Sequence, residues 1–186
     1  HVSPANPDYV DLVNTYPHNV DKAKEYLKAA GLPDGFKATI KLPPVRYARA
    51  GGEIIAAELR QIGIDLEIIP LEWADWLSKV YTEHDFDMSI VSHTEANDID
   101  IYARKDYYIG YDNPDFNKLA DELAITNDAA GRKELLAQMQ TILAKDVPVA
   151  FLFELPKIGV WDAKVQGMWE NSPIQANDLT KVKWAD

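Results

Sequence analysis

The chain contains no cysteine. That excludes disulfide staples, thiolate metal sites and cysteine nucleophiles. No apolar stretch reaches the roughly 18 residues that a membrane-spanning helix requires, so direct membrane insertion is not expected. The opening His1-Val2-Ser3-Pro4 lacks the basic stretch and apolar run of a signal peptide, as does any mature chain cut from a longer precursor. Basic residues are scarce: 19 Lys and Arg stand against 30 Asp and Glu, a net charge of -11. A phosphate backbone would be repelled, so nucleic acid is excluded as a partner. Motifs of phosphate-binding, dinucleotide-binding, serine-hydrolase and zinc-protease sites are missing. The Gly51-Gly52 pair lies inside a helical pattern and is not followed by the Lys-Ser or Lys-Thr of a phosphate loop. No cofactor is expected.

What is present is the composition of a packed globular domain, 47% hydrophobic and 26% charged. Residues 1–18 carry Pro4, Pro7 and Pro17 without periodicity and read as an extended lead-in. Asn19 is positioned to cap a helix with a stripe of Ala23, Tyr26, Leu27 and Ala30, and Gly31 ends it. Phe36, Ala38, Ile40 and Leu42 alternate with Lys37, Thr39 and Lys41, which predicts a strand stopped by Pro43-Pro44. A helix over 47–62, a strand over 64–71, a helix over 72–81 and a strand over 86–91 follow. Strands alternating with helices predict an α/β fold in three layers around a largely parallel sheet. Helices are also predicted from Pro114, capped by Asp112 or Asn113, and over 129–145, capped by Asp128. Two last strands are expected over 149–155 and 158–161. The tail from Val165 shows no core of its own.

In an open parallel sheet, ligands bind outside the carboxyl ends of the strands. Two segments reach that edge here. One is Pro43-Pro44-Val45-Arg46, after the first strand. The other is the loop from Ser92 to Asp100, dense in donors and acceptors. Arg46, His93, Thr94, Glu95, Asn97 and Asp98 are therefore the candidate ligand-face residues. Tyr102, Tyr107 and Tyr108 are candidates for an apolar wall, since a tyrosine ring offers both a flat face and a hydroxyl. Trp73 and Trp76, at helical spacing, read as packing residues. A different class of reading is an enzyme or metal-site domain using His93, Glu95 and Asp98, with Asp100 as a further oxygen ligand, although the spacing fits no defined metal signature.

The order of several blocks resembles the extracellular solute-binding proteins of family 5, the binding components of ABC importers. The blocks are Val20 to Phe36, ending Ala30-Gly31-Leu32-Pro33-Asp34-Gly35-Phe36; Ala57 to Ile64; Glu72-Trp73; Asp85-Phe86-Asp87-Met88; Tyr111 to Phe116; and Asp146-Val147-Pro148-Val149-Ala150. The resemblance covers most of residues 16–160. It implies a lobe of the type II periplasmic-binding-protein kind, with 1–18 as a hinge or lead-in, 19–164 as the lobe and 165–186 as a tail returning to a first lobe. It also implies a non-enzymatic substrate-binding component taking up a small polar solute, peptide or peptide-like. The implied partners are that ligand and an ABC transporter membrane permease; the implied location is periplasmic or extracellular, membrane-associated through the transporter. Dipeptide binders of the family hold the peptide ammonium with an aspartate in the loop after the Asp85-Phe86-Asp87-Met88 strand. Here that position falls on Ala96, beside Glu95.

Overall fold

The computed structural model of the chain describes residues 1–93, 98–155, 158–169 and 178–185. They form two compact units, His1–Ala150 and Phe151–Asp186.

The first unit is built on three parallel strands, β1 (Lys37–Leu42), β2 (Asp65–Pro70) and β3 (Met88–Ser89), in the order β2-β1-β3. Lys37 lies opposite Asp65 and Leu42 opposite Pro70, while Ile40 and Lys41 face Met88 and Ser89 across the other edge. The alternation read from the sequence is realised. Ile40 and Leu42 pack with Leu66 and Ile90 against Ala48 and Ala56 of helix α2 (Arg46–Arg60) on one face. On the other face, helix α3 (Trp73–Trp76) and its π-helical continuation Leu77–Thr82 bring Trp76 and Val80 against Leu71 and Tyr108. Helices on both sides of the sheet give the predicted three layers.

Two close approaches explain glycines at fixed points. Gly52 sits where α2 lies against β1, and a Cβ there would be 2.4 Å from Cδ1 of Leu42. Packing, not phosphate binding, accounts for this glycine. The turns before β1 and β2 touch: Gly35 and Gly63 both have positive φ, and a Cβ on Gly35 would lie 2.0 Å from the carbonyl oxygen of Gly63.

β3 is shorter than the predicted 86–91, because aspartate side chains take over the pairing. The Thr39 N–H and hydroxyl both donate to Asp87 Oδ2 at 2.8 Å. The buried Lys41 ammonium donates to the Asp85 carbonyl and to its carboxylate, at 2.7 Å for the latter. Those two bonds from Thr39 hold the Asp87 carboxyl below the usual carboxylate range. The Asp85-Phe86-Asp87-Met88 block is thus a clasp that fixes the last strand to β1.

Helix α1 (Val20–Ala29) is capped by Asn19, which accepts from the Lys22 N–H. Helices α4 (Pro114–Ile125) and α5 (Ala129–Asp146) have the caps the sequence announces: Asn113 accepts from Asp115 and Phe116, and Asp128 accepts from Gly131. They enclose Phe116, Leu123, Leu135, Met139 and Leu143 together with Ile99, Ile101 and Tyr102 from a 3-10 turn over Ile99–Ala103.

The second unit contains an antiparallel pair, β4 (Val165–Gln166) and β5 (Lys183–Trp184). The strands expected over 149–155 and 158–161 do not form among the described residues. An apolar β-prone run becomes a strand only where a neighbouring edge accepts its backbone groups. Here Phe153, Leu155, Ile158 and Val160 are exposed instead.

Candidate functional site

The carboxyl ends of β1, β2 and β3 each lead into a polar or aromatic segment on one edge of the sheet. β1 leads through Pro43-Pro44-Val45 into Arg46, the first residue of α2 and exposed to solvent. β2 leads through Leu71 and Glu72 into Trp73, the first residue of α3. β3 leads through Ile90 and Val91 into Ser92 and His93. Crossovers that return every strand in the same direction impose this convergence.

The first turn of α2 is tied to both neighbours. The Tyr47 hydroxyl accepts from the Ser92 N–H at 2.9 Å, and Arg49 Nη2 lies 3.5 Å from Glu72 Oε1. Both charged groups of the latter pair are largely exposed, so the contact contributes little energy.

A second set of contacts holds the loop after β3 at both of its described ends. His93 Nε2 is 2.8 Å from the Tyr108 hydroxyl, and the two rings are nearly parallel with centroids 6.1 Å apart. Tyr108 in turn packs edge-on against the buried Trp76, whose Nε1–H donates to Ser89 Oγ at 2.9 Å. At the other end Asp98 is buried and its Oδ1 lies 2.7 Å from His1 Nε2, while His93 Nδ1 is 4.0 Å from Asp98 Oδ2. The Tyr102 hydroxyl is 3.3 Å from His1 Nδ1. A carboxylate oxygen of Asp98 accepts a hydrogen bond from His1 Nε2–H. Burial, and after it the Asp98 charge, pushes the Tyr102 hydroxyl well above its ordinary pKa, which keeps it a donor.

The predicted residues therefore separate. Arg46 and His93 reach the common edge. Thr94, Glu95 and Asn97 lie outside the described residues. Asp98 is a buried anchor for the lead-in rather than an exposed ligand group. Tyr102 belongs to the core with Phe116, and Tyr108 is buried against Trp76, so the flat faces of these two rings are used in packing. Tyr107 is partly buried, with its ring 5.0 Å from that of Tyr108. No group of three His, Asp or Glu residues suited to a metal ion occurs among the described residues. His1 was not legible as a partner of Asp98, since 97 positions separate them. Trp73 was read as packing, yet it is 42% exposed while Trp76 is 4%.

Residues 1–115 match the family model of the bacterial extracellular solute-binding proteins, family 5 middle. Di/tripeptide-binding protein 1 of Pseudomonas aeruginosa is 28% identical over 163 residues, which is 78% of this chain and 30% of that protein. Among solved structures, the ABC transporter-associated periplasmic binding protein DppA from Helicobacter pylori, in complex with the peptide STSA, is 27% identical with a TM-score of 0.69. The match covers 78% of this chain and 31% of that one. A dipeptide-binding protein from Pseudoalteromonas in complex with Met-Leu gives a TM-score of 0.74 over 98% of this chain and 39% of its own, at 19% identity. The fold is thus that of a lobe of type II periplasmic binding proteins, and the chain spans about 30% of the curated relative it matches.

Proposed function

Because the chain belongs to the bacterial extracellular solute-binding proteins of family 5, we propose that it is one lobe of a two-lobed receptor for peptides or peptide-like solutes. Residues 19–164 are the lobe, 1–18 the hinge, and 165–186 a tail that returns to the other lobe. The receptor works outside the cytoplasmic membrane, binds without transforming its ligand, and hands it to the permease of an ABC importer. Among the described residues no helix is long and apolar enough to cross a membrane.

The observation that carries the reading is the convergence of three segments on one sheet edge in a chain of this family. In such a cleft Arg46 is set to meet a carboxylate, since an arginine fork matches two oxygens. The 93–98 loop, with His93, Thr94, Glu95 and Asn97, meets the other polar end of the solute. Tyr107 supplies apolar cover. Glu95, next to the position where relatives carry an aspartate, takes the ligand ammonium.

The test is calorimetric titration of the two-lobed protein with di- and tripeptides, with and without Glu95→Gln. A charge-assisted hydrogen bond contributes about 1.5–3 kcal/mol, so the variant should bind roughly ten- to a hundredfold more weakly. Unchanged affinity removes Glu95 from this role. No binding of any short peptide overturns the peptide reading itself.

A further inference from the structure

We propose that the lead-in is a fastened strap that holds the ligand loop in place, with His1 and Asp98 as positioning residues for solute binding. This rests on the peptide reading above, in which the 93–98 loop meets the solute, and adds to it how that loop is held.

Asp98 stands at a boundary. Behind it the 3-10 turn Ile99–Ala103 sends Ile99, Ile101 and Tyr102 into the core, and the Asp98 carbonyl accepts from the Ile101 N–H at 2.9 Å. Ahead of it lies the loop that begins at His93. Burying a carboxylate is costly unless it is bonded, and Asp98 is buried. A partner comes from the far end of the lead-in: His1 Nε2 lies 2.7 Å from Asp98 Oδ1, with the two side chains only 11% and 9% exposed. The His1 ring also stands edge-on to that of Tyr102, centroids 5.3 Å apart, and its Nδ1 lies 3.3 Å from the Tyr102 hydroxyl. His1 is thus wedged against the turn that ends the loop. His93 Nδ1 is 4.0 Å from Asp98 Oδ2, so the same carboxylate stands at the neck of the loop.

The lead-in does not run to His1 as a loose thread. Gln140, buried on α5, donates from Nε2 to the Asp8 carbonyl at 2.8 Å and accepts at Oε1 from the Val10 N–H at 3.2 Å. One amide that bonds on both sides of Tyr9 pins that backbone in position and in direction. Farther along, the Tyr16 hydroxyl donates to the Lys145 carbonyl at 3.0 Å. The lead-in is therefore bonded to α5 at Asp8, Val10 and Tyr16 and to the end of the ligand loop at His1. On the two-lobed reading the chain enters this lobe through the lead-in, so a displacement of the strap is passed to Asp98. A loop whose end is already held loses less freedom when a solute orders it, and the smaller loss appears as affinity.

The experiment is calorimetric titration of the two-lobed protein with Ala-Phe and Ala-Ala-Ala, for the parent and for His1→Ala, His1→Gln and Leu135→Val, with thermal unfolding of each. His1→Ala should weaken both peptides alike by about tenfold, because the strap acts on the loop and not on a ligand side chain. His1→Gln, whose amide can still donate to Asp98, should stay within about threefold of the parent. Leu135→Val is the control for stability, since it disturbs the core cluster that contains Tyr102. It should lower Tm and leave both affinities within about twofold of the parent. A loss of affinity in Leu135→Val as large as in His1→Ala would mean that binding follows stability alone and overturn the proposal. So would a loss in His1→Gln equal to that in His1→Ala. If the unaltered protein binds neither these nor other short peptides, the peptide reading fails and this inference with it. If it binds them and His1→Ala binds them equally well, the reading stands and the strap alone is lost.

Discussion

Phe116 and Phe153 are the same side chain with opposite fates. Phe116 is wholly buried between α4, α5 and the 3-10 turn, whereas Phe153 is 57% exposed. The contrast runs through the two units that contain them. In His1–Ala150 many apolar residues gather into three buried clusters between its helices, strands and loops. In Phe151–Asp186 the described residues Phe153, Leu155, Ile158, Val160, Trp161, Leu179 and Trp184 are exposed. Monomeric proteins rarely leave so much apolar surface together without a partner for it. Apolar content alone therefore does not build a core. The first unit gathers its buried apolar residues between its own elements; on the two-lobe reading proposed above, the exposed apolar residues of the second unit are covered by the other lobe.

The largest test of this contrast is a pair of substitutions in the chain as it stands. Phe116→Ala should destabilise by about 3–5 kcal/mol, the usual cost of emptying a buried aromatic site. Phe153→Ala should change stability by no more than about 0.5 kcal/mol, as exposed substitutions do. Urea unfolding of both variants measures the two values. Comparable losses would erase the distinction between the units.

A smaller effect sharpens the same comparison by adding the missing partner. Val160 is 94% exposed. In the two-lobed protein, Val160→Ser should cost about 1.5–3 kcal/mol if the valine becomes buried there, and close to nothing in the single lobe. Thermal unfolding of the four proteins reads the difference. An equal effect in both backgrounds means that the second unit turns its apolar face elsewhere.

The comparison also marks what the sequence could disclose. The parallel strands were legible because Ile40 and Leu42 alternate with Thr39 and Lys41 and because helical stripes intervene; the caps were legible because Asn19, Asn113 and Asp128 stand where a helix needs acceptors. The shared sheet edge followed from those elements, since direction and crossover bring the segments of Arg46 and His93 to the same edge of the sheet. Three things escaped. The Asp85 and Asp87 clasp is a side-chain substitute for strand pairing, and a period-two pattern cannot reveal it. The His1–Asp98 contact joins residues far apart in the chain. Trp73 and Trp76, three residues apart, fall on neighbouring parts of one helical stripe, so periodicity identifies both as inward without saying which lies at the margin. The strands expected over 149–155 and 158–161 failed for a fourth reason: nothing local reports whether an edge is available to pair with them.

The smallest expected effect lies at the end of the first unit, where ordered packing gives way to the exposed segment. The Tyr111 hydroxyl donates to Asp146 Oδ2 at 2.5 Å and the Asn113 amide donates to the same oxygen at 2.7 Å. These bonds tie the last residue of α5 to the approach to α4. They hold the Asp146 carboxyl below the usual carboxylate range, the Tyr111 bond being the larger cause. Tyr111 itself is pushed up to about 12, first by burial and then by its bond to Asp146. A carboxyl whose folded pKa is lowered stabilises above its unfolded value and loses that contribution as pH falls through the folded one. A hydroxyl whose folded pKa is raised stabilises below its unfolded value, about 10, and loses that contribution as pH rises toward about 12. Asp146→Asn should therefore lower Tm slightly at neutral pH and converge with the parent as pH falls through the lowered pKa of the folded carboxyl, where the parent is protonated as well. Tyr111→Phe should lower Tm at neutral pH and flatten the alkaline loss of stability between about pH 10 and 12. Circular-dichroism melts across this range separate the two limbs. A constant offset between Asp146→Asn and the parent at every pH would show that the ionised carboxylate is not what holds the end of α5 in place.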